Sequence, residues 1–154
     1  MAKQSAGILL FRFKNKQPEV FLVHPGGPFF RNKDDGAWSV PKGEFTDDEE
    51  ALDAAVREFE EETGLVLTGE FIPLDPITQK GGKKVYAWAI AGGIDHETIV
   101  SNTFEIEWPP RSGKKQTFAE VDKAGWFDLE TAKVKINAAQ VEFLKNLLIK
   151  LKSS

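Results

Sequence analysis

The chain has 154 residues, 41% of them hydrophobic and 29% charged, with a net charge of −4. That length suits one domain over residues 1–154 with a core of its own, and the acidic balance argues against a general nucleic-acid-binding protein. With no cysteine, disulfides, thiolate zinc sites and cysteine nucleophiles are excluded. No stretch reaches membrane-spanning length or shows a signal-peptide pattern, so the expected location is the cytoplasm, without a membrane partner.

Ala6 to Phe13 and Val20 to His24 are short β-favouring runs around a turn at Lys14 to Pro18, a strand–turn–strand opening. His24, alone at a strand end, reads as structural before it reads as catalytic. Pro25 to Gly36 is a loop carrying Phe29, Phe30, Arg31 and Lys33. Aromatics beside basic residues could stack a base and hold phosphates, or they could plug the sheet. The segment Trp38-Ser39-Val40-Pro41-Lys42-Gly43 follows. Lys42 is either a point charge for a phosphate or a surface lysine.

Gly43 to Leu65 reads GEFTDDEEALDAAVREFEEETGL. Ala51, Leu52, Ala55, Val56 and Phe59 recur at helical spacing, predicting an amphipathic helix between Glu49 and Gly64, with Asp47 or Asp48 as its cap. Gly64 is where the helix should stop. Glu58, Glu61 and Glu62 stand at i, i+3 and i+4 and therefore share one face, beside the apolar stripe. Like charges stacked this way destabilise a helix by a few tenths of a kcal/mol per pair. A hard divalent cation such as Mg²⁺ or Mn²⁺ would offset that cost; the bland reading is a solvated acidic face.

Leu65 to Leu67 and Glu70 to Leu74 read as short extended segments, and Lys80 to Lys83 as a tight basic turn. Lys83 to Ala91 is the strongest strand, with bulk on both faces, and so is expected to be central. Tyr86 and Trp88 share one of its faces. Thr103 to Trp108 alternates like a strand, and Pro109 to Lys115 is a basic loop that cannot continue it. There, Arg111, Lys114 and Lys115 either meet a polyphosphate or are solvated. Ile136 to Leu151 forms a C-terminal amphipathic helix packed on the sheet.

Gly43, Glu49, the run Arg57-Glu58-Phe59, Glu61, Glu62, Gly64 and Leu65 together match the pattern G-x(5)-E-x(7)-R-E-U-x-E-E-x-G-U, U being a bulky apolar residue. At ordinary residue usage a chance match is on the order of one in a billion per starting position. This is the Nudix box, and the chain resembles a Nudix hydrolase; the wording W-x-x-P-K-G is similar to members acting on dinucleoside polyphosphates. The resemblance implies the Nudix α/β/α sandwich around a mixed β-sheet. It implies that Gly43 gives its carbonyl to a metal held with Glu58, Glu61 and Glu62, and that an aromatic such as Tyr86 stacks a nucleobase. Nudix chains also often carry an acidic loop before a Trp-containing strand, which makes Glu120 a candidate extra carboxylate.

The activity implied is hydrolysis of a nucleoside diphosphate linked to another moiety, with one or more Mg²⁺ (or Mn²⁺) ions. Either Glu61 or Glu120 is the general base. Arg57 orients a box glutamate by a charge-assisted bond, and Glu49, on the other side of the helix, supports Arg57 or the loop unless it acts as a metal ligand. Lys42, Tyr86 and Arg111 are the substrate-binding candidates. The expected partner is a small nucleotide, a nucleoside or dinucleoside polyphosphate. An RNA 5′ end, a nucleotide sugar, a diphosphoinositol polyphosphate and a non-catalytic Nudix-fold binding module are the alternatives.

Overall fold

The computed structural model describes residues 3–79 and 81–153. In chain order it comprises β1 (Gln4–Lys14), β2 (Gln17–Pro25), β3 (Lys42–Phe45), α1 (Ala51–Thr63), β4 (Ile72–Pro73), β5 (Ile77–Thr78), β6 (Lys84–Ala91), β7 (Thr103–Glu107), β8 (Lys115–Ala119), β9 (Val121–Asp128), α2 (Leu129–Lys135) and α3 (Val141–Ser153). The main sheet runs β4-β6-β1-β2-β9, with β3 also on β1 and β5 on β6. β1 and β6 are parallel, whereas β1 meets β2 and β3 antiparallel, so the sheet is mixed.

β1 is buried on both sides, as its unbroken apolar run requires. Its Ala6, Ile8 and Leu10 pack with Ala54, Ala55 and Phe59 of α1. Leu9 and Phe11 face the opposite way, toward Phe143, Leu144 and Leu147 of α3. Helices thus cover both faces of the sheet, the expected α/β/α sandwich. The strong strand expected over Lys83 to Ala91 is β6, with β1 on one edge and β4 and β5 on the other.

One edge of β1 is shared by two strands. Residues 4–7 pair with β3 and residues 11–14 with β2, so β2 and β3 diverge between them. Gly7 sits at the fork, where a Cβ would fall 2.7 Å from both the Pro41 carbonyl oxygen and the Lys42 Cβ. The β1–β2 connection is tighter than the sequence implied, a two-residue turn at Asn15 and Lys16, both with positive φ.

Several elements differ from expectation. The N-cap of α1 is Glu50, with no side-chain cap bond; Asp47 instead accepts a hydrogen bond from Gln4 Nε2 at 2.8 Å. The buried face of α1 runs through Ala54, Ala55 and Phe59, leaving Leu52 and Val56 half-buried. It is therefore turned toward Glu58 and Glu62. Gly64 does end the helix, left-handed at φ 83°, its N–H donating to the Glu60 carbonyl. The C-terminal helix begins at Val141 and not at Ile136, because Asn137 caps a 3₁₀ turn over Ala138–Gln140 and Ile136 is extended, bridging Trp38. α2, seven residues long, is too short to show a period, though its cap is orthodox: Asp128 accepts the Thr131 N–H at 2.8 Å. Lys80, the first residue of the expected basic turn, lies outside the described residues; Gly81 and Gly82 after it both have positive φ. Among the described residues no helix is long and apolar enough to cross a membrane.

Candidate active site

The site is assembled where α1 crosses the start of β3. Glu58 lies directly over Gly43: a Cβ there would come within 2.0 Å of Glu58 Oε2. Only 12% of the Glu58 side chain is exposed. Arg57 organises the surrounding charge. Its Nε and Nη2 donate to the two oxygens of Glu49, each at 2.9 Å, a bidentate pair. Its Nη1 donates to Glu58 at 2.8 Å and to Glu61 at 3.2 Å. Glu49 is thus the partner of Arg57.

Glu120, far along the chain, is brought to the box by backbone bonds through Asn102. The Asn102 N–H donates to the Glu61 carbonyl at 2.7 Å, and the Asn102 carbonyl accepts the Glu120 N–H at 2.8 Å. The carboxylates feel one another. Burial, then the charge of Glu61, raises the Glu120 pKa, and burial followed by Glu61 raises that of Glu58. Glu62 is pushed up to about 9, chiefly by burial, then by Glu58 and Glu120, against the pull of the Lys42 backbone N–H. Its Oε2 is buried without a hydrogen-bond partner among the described residues. Burial, then the charge of Lys83, lowers the pKa of the Lys42 ammonium.

A cleft of about 310 Å³ opens at the fork between β2 and β3, with Lys42, Glu62 and Glu120 in its wall. Phe30, Ser39, Gln79, Asn137 and Gln140 complete the polar and aromatic lining. Gln140 is buried, with Oε1 accepting the Val40 N–H at 3.0 Å and Nε2 donating to Ser39 Oγ at 3.1 Å. Two candidates lie elsewhere. Tyr86 faces the α1 side of the sheet with its ring against Phe45 at 6.1 Å, because its register opposite Ala6 turns it there. Arg111 sits at the tip of the β7–β8 hairpin, its backbone N–H on Glu107 at 2.7 Å, and does not line the cleft. His24 is fully buried. Its Nε2–H donates to the Lys33 carbonyl at 2.7 Å and Nδ1 meets Asp122 at 2.8 Å, so it ties the 25–36 loop to β9.

The NUDIX domain model matches residues 1–147, nearly the whole chain. The chain belongs to the NUDIX domain family, the Nudix hydrolases. Two solved structures share its fold: a C. elegans Ap4A hydrolase binary complex, 21% identical with a TM-score of 0.65 over 99% of this chain and 100% of that one, and the NUDIX domain of Shewanella oneidensis NrtR complexed with ADP ribose, 17% identical with a TM-score of 0.64 over 98% and 89%. In sequence it is 31% identical over 96 residues to the mRNA-decapping enzyme subunit 2 of Saccharomyces cerevisiae, spanning 61% of this chain and 8% of that much longer protein.

In this Nudix domain the residues fit a hard cation without being gathered around one. Among the described residues no three Asp, Glu or His side chains form a chelating cluster; Glu58 and Glu61 are turned onto Arg57. The fit lies in the chemistry of the donors: an orphaned Glu62 oxygen in a buried setting, and carboxylates whose mutual repulsion calls for positive charge. Asn137 and Gln140, both inside the helix expected over Ile136 to Leu151, join the cleft lining although no motif marks them. Their only local signal was the Asn137 cap.

Proposed function

We propose that this Nudix domain, over residues 1–154, hydrolyses a pyrophosphate bond in a nucleoside or dinucleoside polyphosphate by water attack on phosphorus, with Mg²⁺ or Mn²⁺, in the cytoplasm. What supports the reading is the convergence of Glu120 on a complete Nudix box at the wall of a cleft that also holds Lys42. Gly43, Glu58, Glu61 and Glu62 would hold the cation, which when bound offsets phosphate charge and lowers the pKa of water. Arg57, anchored by Glu49, fixes the directions of Glu58 and Glu61. Glu120 takes the proton of the attacking water: among the described residues it has no cationic partner, while Glu61 is engaged by Arg57, and its raised pKa brings it nearer to neutral pH. Lys42 meets a phosphate oxygen as a point charge.

The likeness to the yeast decapping enzyme supports a second reading, in which the pyrophosphate belongs to an RNA 5′ end. A panel of nucleoside triphosphates, diadenosine polyphosphates, ADP-ribose and capped RNA, each with Mg²⁺ and with Mn²⁺, decides between them. Metal-dependent hydrolysis of a small nucleotide is expected. Ligand binding without turnover across the whole panel would mark a binding module and overturn the proposal.

A further inference from the structure

We propose that the 25–36 loop and the tip of the β7–β8 hairpin form a seat for a second nucleobase, carried on the phosphate chain beyond the bond that is cut. The inference rests on the hydrolase reading above and adds that the preferred substrate is two-ended, a dinucleoside polyphosphate. It starts from Phe29 and Phe30, which are 61% and 37% exposed and so do not plug the sheet. Adjacent exposed aromatics at the rim of a cleft form an apolar patch that water solvates poorly.

The patch is held in place. The Gly26 N–H donates to the Glu120 carbonyl at 2.9 Å, and a Cβ on Gly26 would fall 1.9 Å from the Ala119 carbonyl oxygen. Gly27, at φ 99°, leaves only 2.8 Å between a Cβ position and the Phe104 ring. His24 secures the far end of the loop through Lys33. Phe29 then meets Trp108 edge to face at 5.4 Å and 77°, a contact that leaves a π face open to a flat partner.

Basic residues lie on the same two segments as the rings. Lys33 Nζ stands 5.5 Å over Phe30. Arg31, Arg111 and Lys114 enter no ion pair among the described residues, whereas Lys115 is paired with Glu105. The turn that carries Arg111 is pinned by Glu107 and by the Trp108 N–H bond to the Lys114 carbonyl. Phe30 lines the cleft together with Lys42 and Glu62, so the seat continues directly from the site. Stacking on an aromatic platform beside basic side chains is how a base on a phosphate chain is held. The small platform and the net charge of −4 favour one base over a longer RNA strand.

The test is calorimetric binding of diadenosine tetraphosphate and of ATP to the full chain without divalent cation, so that no turnover is needed. One stacked base corresponds to about 5- to 150-fold in affinity. Wild type is expected to prefer the dinucleotide by at least about fivefold, Phe29→Ala to abolish the preference, and Phe29→Trp to retain it. Equal affinities in wild type, or a Phe29→Ala loss that is the same for both ligands, would overturn the inference. Dependence on Phe29 for a 5′-triphosphate dinucleotide RNA but not for diadenosine tetraphosphate would overturn the choice of ligand. Absence of hydrolysis would count against the hydrolase reading and leave this binding test intact.

Discussion

Gly43 and Glu58 occupy the same small volume: the position a Cβ would take on Gly43 lies 2.0 Å from Glu58 Oε2 and 2.1 Å from its Cδ. The glycine's missing side chain thus leaves the room that a candidate site carboxylate fills. Gly43→Ala would push away the end of a flexible side chain, so its cost in stability should be modest, about 1 kcal/mol. Activity should fall far more, by at least tenfold, since the carboxylate is displaced from a position that matters to a fraction of an ångström. Urea unfolding alongside kcat measures both. Loss of stability and activity in proportion would show that Gly43 serves the fold alone.

The box was legible because its spacing constrains nine positions at once, and the strands β1 and β6 because their runs are apolar on both faces. What could not be read was set by contacts distant in sequence. The helix face turns toward Glu58 because Phe59 and Ala55 pack on Ile8 and Leu10, whereas the spacing of apolar residues alone points to a stripe that includes Leu52 and Val56. Asn102 carries no motif, yet its backbone joins Glu61 to Glu120. Tyr86 alternates correctly along its strand, but its ring packs on Phe45 and is not among the residues that line the cleft.

Glu62 makes the metal-free protein sensitive to pH. Its carboxyl is pushed up to about 9 from an ordinary 4.5, mainly by burial. The folded state therefore binds the proton more tightly than the unfolded state, and between those values the unfolded chain holds fewer protons. The contribution is fully present below pH 4.5 and is lost as pH rises through 9. Thermal unfolding of metal-free protein should thus show this stability declining across that window, and Glu62→Gln should flatten the decline. The same variant should lower kcat by orders of magnitude while the fold stays intact. Added Mg²⁺ should stabilise wild type more as pH rises, because its ligands must be deprotonated.

Arg57 and Glu49 should act as one unit. The guanidinium spends two donors on Glu49 and another on Glu58 and Glu61, a geometry that an ammonium cannot reproduce. Arg57→Lys is expected to lower kcat/KM by about 10- to 100-fold, the range seen when a group that orients metal ligands is lost. Glu49→Ala should cost less, and in the double variant it should add little to the loss from Arg57→Lys. Fully additive effects would separate Glu49 from the positioning of the box.

Glu120 should set the acidic limb of the pH–rate profile. A general base works only when deprotonated, so kcat/KM falls as pH drops through its pKa, which burial and the charge of Glu61 raise above the ordinary carboxylate value. In Glu120→Gln the rate should fall by about 10²- to 10⁴-fold, the usual contribution of a positioned base, and that limb should vanish from the residual activity. Glu61→Gln also lowers kcat, but it should leave a limb in place, moved toward lower pH because the like charge that raises Glu120 is gone. If instead the limb vanishes in Glu61→Gln and persists in Glu120→Gln, the base is Glu61, and Arg57 must release it before the water can be deprotonated.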